Sequence, residues 1–258
     1  MDFTSLSNSH RSIRQYKDTP ISEELLNEIL HAATRASSSG NIQPYSIIIS
    51  RDKAEREKLW ELHYQQDMIL QAPVLLTFCV DWHRMIKWCK ISDARPTWDN
   101  FLCYMVGAGD VFIAAQNAAL AAENAGLGIC YMGTTLNNAQ KLSDFFECPR
   151  NVVPVTSMVI GYPDEDPDAR DRLPMNAIIH HEKYHDYDDE QIIEHYKQKE
   201  EDGWNRYMSI PELKEKIDKS GVKNLAQVYT DVKYTKDENR MASRSLINLL
   251  DKQQFGNN

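Results

Sequence analysis

Apolar side chains recur along the chain with two different periods, and each period predicts a different kind of element. Beyond Ser22, a candidate N-cap, apolar residues fall on one helical face at Leu25, Leu26, Ile29, Leu30 and Ala33. Shorter, mostly apolar runs of strand length are found at residues 46–50, 74–80, 155–160 and 177–180. The first 180 residues are therefore predicted to contain both helices and strands.

One segment is apolar on nearly every side. From Trp98 to Ala125, alanines and larger apolar residues occupy each helical face, and Gly126 then provides a C-cap. A helix with this pattern is buried on all sides, either inside a core or between subunits. No apolar run, this one included, is expected to approach the length of a membrane span.

Residues 186–258 differ from the rest in composition. They are charged and amphipathic, with helices predicted near 188–201, 210–219 and 241–254, and they lack the apolar strands of an independent sheet. We therefore predict a main domain over residues 1–185 and a helical arm over 186–258. The arm is expected to pack on the main domain rather than fold independently.

Composition narrows the class of protein. The 42% hydrophobic content is ample for a core, and the net charge of −9 argues against a nucleic-acid binder. Five scattered cysteines form no CxxC pair and no metal-type spacing, which predicts reduced thiols in a soluble, cytoplasmic protein.

Basic residues nevertheless cluster near the start, in His10-Arg11-Ser12-Ile13-Arg14. Guanidinium groups grip phosphate through parallel charge-assisted hydrogen bonds, so this cluster suits a local anionic ligand. Three later segments could complete a phosphate and ring site. They are the donor-rich turn 37–45, the small-residue stretch 131–134, and the loop that carries Arg170 and Arg172.

Six segments in this order resemble the nitroreductase family of FMN-dependent oxidoreductases. They are residues 10–14, 37–45, Ala121-Ala122-Glu123-Asn124-Ala125-Gly126-Leu127-Gly128, Ile160-Gly161-Tyr162-Pro163, Arg170-Asp171-Arg172-Leu173-Pro174 and His181-Glu182-Lys183-Tyr184. The Tyr131-Met132-Gly133 stretch and the arm are most similar to the NADPH nitroreductase and flavin reductase branch. The resemblance implies an α+β fold with a mixed central sheet flanked by helices, in an intertwined homodimer with helix 106–125 at its interface.

The same resemblance implies roles for individual residues. His10, Arg11, Ser12, Arg170 and Arg172 would hold the FMN phosphate, and Arg14 would reach the pyrimidine edge of the flavin. The partner subunit would contribute Ser38, Ser39 and Asn41 to the FMN site. Gln66 would place an amide against the ring, and the backbone of Tyr131, Met132 and Gly133 would face the flavin N5. Two departures from the branch are Arg170, where lysine is frequent, and Thr134, where glycine is common.

The implied reaction is hydride transfer from NADPH or NADH through FMN to a quinone, nitroaromatic or flavin acceptor, with ping-pong kinetics. Because the chemistry takes place on the cofactor, no catalytic side chain and no metal are expected. A non-catalytic FMN storage protein or redox sensor would show the same cofactor residues. His181-Glu182-Lys183-Tyr184-His185 also matches the HExxH zinc motif of metallopeptidases, which requires a helix.

Overall fold

The computed structural model describes residues 2–256, and they form two compact units. The first contains residues 2–168 together with 242–256, and the second contains residues 169–241. This division differs from the predicted boundary at residue 185. Residues 242–256 belong to the first unit because Leu249, Leu250 and Phe255 are buried in its main core.

Eight helices precede the second unit in the described part of the chain. They are α1 (Phe3–Asn8), α2 (Glu23–Thr34), α3 (Lys53–Leu62), α4 (Met68–Gln71), α5 (His83–Ile91), α6 (Phe101–Asn124), α7 (Thr134–Asn137) and α8 (Ala139–Phe145). Ser22, Asp52 and Asn100 begin α2, α3 and α6, because each side chain accepts a hydrogen bond from the backbone N–H three residues later. The predicted cap at Ser22 is therefore confirmed.

Four strands form the sheet: β1 (Tyr45–Ser50), β2 (Val74–Asp81), β3 (Gly128–Met132) and β4 (Val152–Gly161). Their order is β1-β2-β4-β3, and each neighbouring pair is antiparallel. The central strands β2 and β4 are buried along their whole length, which explains their unbroken apolar sequences. The α+β class is confirmed. The four strands of the sheet pair only antiparallel, and the parallel pairing among the described residues is one isolated bridge between Ser12 and Ile129.

The short strand predicted at residues 177–180 is wrong. Pro174 instead precedes a 3-10 turn, Met175–Ala177, and the next residues have no strand partner. Ile178 and Ile179 are exposed, so their apolar character does not reflect a buried strand. Apolar runs of this length do not by themselves distinguish a strand from an exposed loop.

Helix α6 packs across the sheet with one face only. Its buried face contains mostly small residues, namely Tyr104, Gly107, Ala108, Asp110, Val111, Ala114, Ala115, Ala118, Ala119 and Ala122. On the opposite face, Phe101, Leu102, Met105, Phe112 and Ile113 are 45–70% exposed. The helix has the length and mean hydropathy (1.3) of a membrane span, contrary to expectation, but half of it is buried, as in the core helix of a soluble protein.

The second unit has a small core of its own. Helices α9 (Asp189–Met208), α10 (Pro211–Ser220) and α11 (Leu225–Gln227) contribute Tyr207, Ile217 and Leu225, and Val228 directly after α11 completes the cluster. A π-helical turn, Val228–Lys233, leads to α12 (Lys236–Lys252), which begins in this unit and ends in the first. The predicted helices near 188–201, 210–219 and 241–254 correspond to α9, α10 and α12.

Candidate functional site

The basic N-terminal segment is fixed beside the edge strand β3. The Ile13 N–H donates to the carbonyl of Ile129 at 2.9 Å, and Tyr16 forms a bridge with Pro163. Ile13 and Tyr16 are buried, whereas Arg14 is exposed. The close approach requires glycine at position 128, because a Cβ there would lie 2.6 Å from Cγ1 of Ile13. The structure thus places His10, Arg11, Ser12 and Arg14 together along one strand edge.

Carboxylates face this basic segment. His10 Nδ1 lies 2.5 Å from Oε1 of Glu123, near the end of α6, and Arg11 forms an ion pair with Asp166. The backbone N–H of Arg14 donates to the carboxylate of Glu165. The Nε of Arg11 is buried and has no hydrogen-bond partner. These acidic partners were not predicted, since each is an ordinary surface residue type in the sequence.

A cavity of about 670 Å³ lies at the other end of β3. Its lining combines the exposed face of α6 with the predicted flavin-facing stretch: Phe112, Ile113, Gln116, Asn117, Tyr131, Met132, Gly133, Leu136, Val155 and Thr156. The Tyr131 hydroxyl lies 3.5 Å from Oε1 of Gln116. Burial, and secondarily the charge of Glu123, raise the pKa of Tyr131 further above its ordinary value. The cavity therefore has a mainly apolar wall with a few amide and hydroxyl groups.

Glu123 connects the basic segment to this cavity electrostatically. It contacts His10, and its charge contributes to the raised pKa of Tyr131. Tyr131 lies two residues beyond Ile129, the β3 residue that forms the bridge with Ser12. One carboxylate oxygen of Glu123 is buried without a partner. A cationic segment and a ring-sized cavity thus share the same strand, β3.

The Ser38–Asn41 turn is anchored elsewhere, on the buried carboxylate of Asp110 in α6. The Ser38 hydroxyl donates to it at 2.6 Å, and the Ser39 hydroxyl and N–H donate at 3.0 Å. Asp110 and Glu123 are thirteen residues apart, about 20 Å along the helix. Asp110 was missed by sequence reasoning, although an acid in the middle of a long apolar helix is itself a signal.

Four predicted residues are not among those that line the 670 Å³ cavity. Asn41 accepts from the Gln43 amide at 2.6 Å and lines a different cavity of about 790 Å³, together with Arg84. Ser38 and Ser39 are absent from the described lining of the first cavity. The half-buried Gln66 precedes α4, and its carbonyl accepts from the Ile69 N–H at 3.0 Å.

Arg170 and Arg172 belong to the second unit, so their predicted role at the phosphate stays a prediction. Arg172 is exposed, and its guanidinium donates to the carbonyls of Arg170 and Asp171 at 3.2 and 3.0 Å. Asp171 in turn has Lys199 and Arg206 within 4.0 Å. This part of the second unit is locally rich in cations.

The zinc motif lacks the geometry it requires. Residues 181–185 are not helical, and Glu182 has a positive φ of 64°. The two histidines are thus not placed one turn apart on a helix face. Within residues 2–256, no group of three or more potential side-chain ligands could hold a metal ion. The structure gives the metallopeptidase alternative no support.

The site consists of a cationic segment and an apolar cavity on one strand of an α+β protein. Comparison with known proteins assigns the chain to a family. The nitroreductase family profile matches residues 8–162. An FMN reductase [NAD(P)H] of Bacillus subtilis is 35% identical, covering 83% of this chain and 95% of its own. An oxygen-insensitive NADPH nitroreductase of Salmonella typhimurium is 34% identical, covering 72% and 79% respectively.

A solved structure extends the similarity to nearly the whole chain. A protein of Bacteroides fragilis NCTC 9343, assigned as an oxidoreductase, has a TM-score of 0.89 and 40% identity, covering 98% of this chain and 100% of that one. The chain belongs to the nitroreductase family, as the six sequence segments predicted.

Proposed function

We propose that the protein is an FMN-dependent oxidoreductase that transfers hydride from NADPH or NADH to quinones, nitroaromatics or free flavin. The observation that carries this proposal is the cationic segment 10–14 fixed on the same strand as the cavity at Tyr131, Met132 and Gly133. The names of the B. subtilis and S. typhimurium relatives support the same cofactor and nucleotide class.

The residues of the first unit fit FMN chemically. Arg11 and Arg14 supply charge-assisted donors in a chain of net charge −9. The buried Nε of Arg11 has no hydrogen-bond partner and could donate to a bound ligand. His10, Arg11 and Ser12 would hold the phosphate, and Arg14 would bind the pyrimidine edge. Bound FMN would supply hydride chemistry in two successive half-reactions, with donor and acceptor using the same site in turn.

The protein itself would bind the cofactor and select the electron acceptors. The wall formed by Phe112, Ile113 and Leu136 is apolar and suits flat aromatic molecules, while Gln116 and Asn117 add hydrogen-bonding groups. Such a wall distinguishes acceptors mainly by shape, which is why a broad range of quinones and nitroaromatics is proposed. No proton-transferring side chain is required of the chain.

The active form is proposed to be a cytoplasmic homodimer. Support comes from the exposed apolar face of α6, which a second copy would cover, and from the distance between the Ser38–Asn41 turn and the basic segment. If that turn contributes to FMN binding, a partner subunit can supply it. The five cysteines are all unpaired, as a reducing compartment would favour.

The decisive experiment is anaerobic reduction of the FMN-loaded protein by NADPH and by NADH, followed by reoxidation with a panel of acceptors. We expect bleaching of the flavin band by at least one nucleotide and parallel double-reciprocal lines in the steady state. Intersecting lines would contradict the shared site and indicate a ternary complex. Absence of reduction by either nucleotide would instead support an FMN storage or sensor protein.

A further inference from the structure

His63 is a fully buried histidine with no role in the proposed reaction. It follows the last residue of α3, and its Nδ1 lies 2.7 Å from the hydroxyl of Thr134. Its Nε2 is buried without a hydrogen-bond partner. Leaving a buried polar atom without a partner is destabilising, so a packing or functional reason for this imidazole is expected.

A second hydrogen bond joins the same two elements. The side-chain amide of Asn138 donates to the carbonyl of Leu62 at 2.6 Å. Thr134 begins α7 and Asn138 directly follows it, so both ends of this four-residue helix are tied to the end of α3. A helix of one turn has little stability of its own, and its position therefore depends on such anchors.

The helix α7 directly continues the cavity wall. The buried hydroxyl of Thr135 donates to the Met132 carbonyl at 2.8 Å, which closes the turn from β3 into α7. Gly133 lies inside this turn and lines the cavity, and a Cβ built on it would meet nothing within 4 Å. The backbone of Gly133 is thus presented to open space, and its position is set by the residues on either side.

We propose that His63 is a positioning residue for this wall: through the Thr134 hydroxyl it holds the Gly133 backbone against the ring of bound FMN. This inference rests on the proposed function, because the wall matters for catalysis only if the cavity holds a flavin. His63 itself is absent from the described lining of the cavity, so it acts through Thr134 rather than by touching the cofactor.

The test compares variants that remove or keep the single hydroxyl–imidazole contact. Thr134→Val deletes the hydroxyl at nearly constant volume, Thr134→Ser retains it, and His63→Gln replaces the imidazole. Thr34→Val, in an exposed turn of α2 whose hydroxyl bonds only its own helix, is the matched control. Amide hydrogen exchange is measured in the apoprotein, and the midpoint potential of bound FMN in the loaded protein.

We expect Thr134→Val and His63→Gln to increase exchange of the Asn138 amide, which donates to the Thr134 carbonyl at 3.1 Å, by about tenfold, the value of one lost hydrogen bond, and to shift the flavin potential. Thr134→Ser and Thr34→Val should match the parent protein in both measurements. A merely structural role would lower thermal stability without changing the potential.

The outcomes separate this inference from the proposed function. If Thr134→Val leaves exchange and potential unchanged while FMN stays bound, the role of His63 is overturned and the proposed function survives. If the parent protein binds no FMN, the proposed function fails and the claim that His63 acts on a flavin fails with it. The apoprotein exchange data then show whether His63 holds the Gly133 turn at all. Should His63→Gln fail to fold, Thr134→Val carries the test alone.

Discussion

Single charged residues determine how the donors of the site are held. Arg11 and Asp166 are paired at the surface, with side chains 36% and 89% exposed, so their attraction is worth at most about 1 kcal/mol. In the proposed function, a phosphate dianion would therefore displace this carboxylate. Buried Asp110 is different: it accepts several hydrogen bonds from Ser38 and Ser39, and losing it would remove the acceptor that holds their turn.

The exchange of Asp166 for phosphate predicts opposite effects of two substitutions. Arg11→Ala should weaken FMN binding by roughly 10- to 100-fold, since it removes a contact of about 1.5–3 kcal/mol. Asp166→Asn should strengthen it by up to about fivefold, because a competing charge is removed. Fluorescence titration with FMN and with riboflavin measures both.

Riboflavin lacks the phosphate, so neither substitution should change its affinity, whereas Arg14→Ala should weaken both ligands. Arg95→Ala, at an exposed position distant in sequence, is the control. Equal losses of FMN and riboflavin affinity in Arg11→Ala would contradict the phosphate role of Arg11.

Burial of His63 makes stability depend on pH. Desolvation lowers the pKa of His63 from 6.5 to about 4. Between these values the unfolded chain binds a proton that the folded chain does not, so the free energy of unfolding falls as pH decreases through this window. The loss is about 1.4 kcal/mol per pH unit and about 3 kcal/mol in total.

Urea unfolding at pH 7.5 and pH 5 tests this expectation. His63→Gln, which does not titrate, should lose less stability between the two pH values than the parent protein does. His181→Gln, on an exposed loop, should behave like the parent. The same pH dependence in all three proteins would show that His63 is not its source.

Residue type alone singled out the cations of segment 10–14 as candidate phosphate ligands, and their role at the cofactor stays a prediction. It could not find their partners. Glu123 and Asp166 are identified only by the fold, since Asp166 lies 155 residues from Arg11 in the chain. The sequence likewise showed no sign of a role for His63, because its burial and its contact with Thr134 are properties of the packed structure.

At the scale of elements, local pattern was sufficient for β1, β2 and β4 and for the capped helix α2. It failed at residues 177–180, where apolar residues without a strand partner stay exposed. Helix α6 was predicted by its composition, but its division into a small-residue face and a large apolar face was not. That division depends on which face the sheet covers, a fact of tertiary packing.

The pairing of segment 10–14 with β3 depends on one glycine. Gly128→Ala would place a Cβ 2.6 Å from Ile13, and the contact forces the N-terminal segment away from the strand. We expect a loss of about 1–3 kcal/mol in stability, as for overpacking, and weaker FMN binding. Urea unfolding and FMN titration measure the two effects.

Lys87→Ala, at an exposed position on α5, provides the control, because it removes a solvated side chain and alanine favours a helix. Parent-like FMN affinity in Gly128→Ala would mean that the position of segment 10–14 does not matter for the cofactor.

At the scale of the whole molecule, the chain leaves a large apolar surface on α6 that a monomer would expose to water. Leu102 and Met105 are 70% and 51% exposed. Patches of this kind on soluble proteins mark interaction surfaces, and the proposed occupant is the same face of a second copy. The proposal also gives the distant Ser38–Asn41 turn a place in the partner's site.

A paired substitution, Leu102→Glu with Met105→Glu, should convert the dimer to the 29.8 kDa monomer, because uncompensated carboxylates cannot be buried in an interface without a large desolvation cost. If the partner's turn completes the site, the monomer should also lose FMN. Sedimentation velocity at micromolar concentration, combined with the flavin absorbance of the sedimenting species, reports both. Ile91→Glu, at a position 83% exposed on α5, should remain dimeric and yellow. A parent protein that sediments as a monomer while retaining FMN would show that one chain holds the cofactor alone.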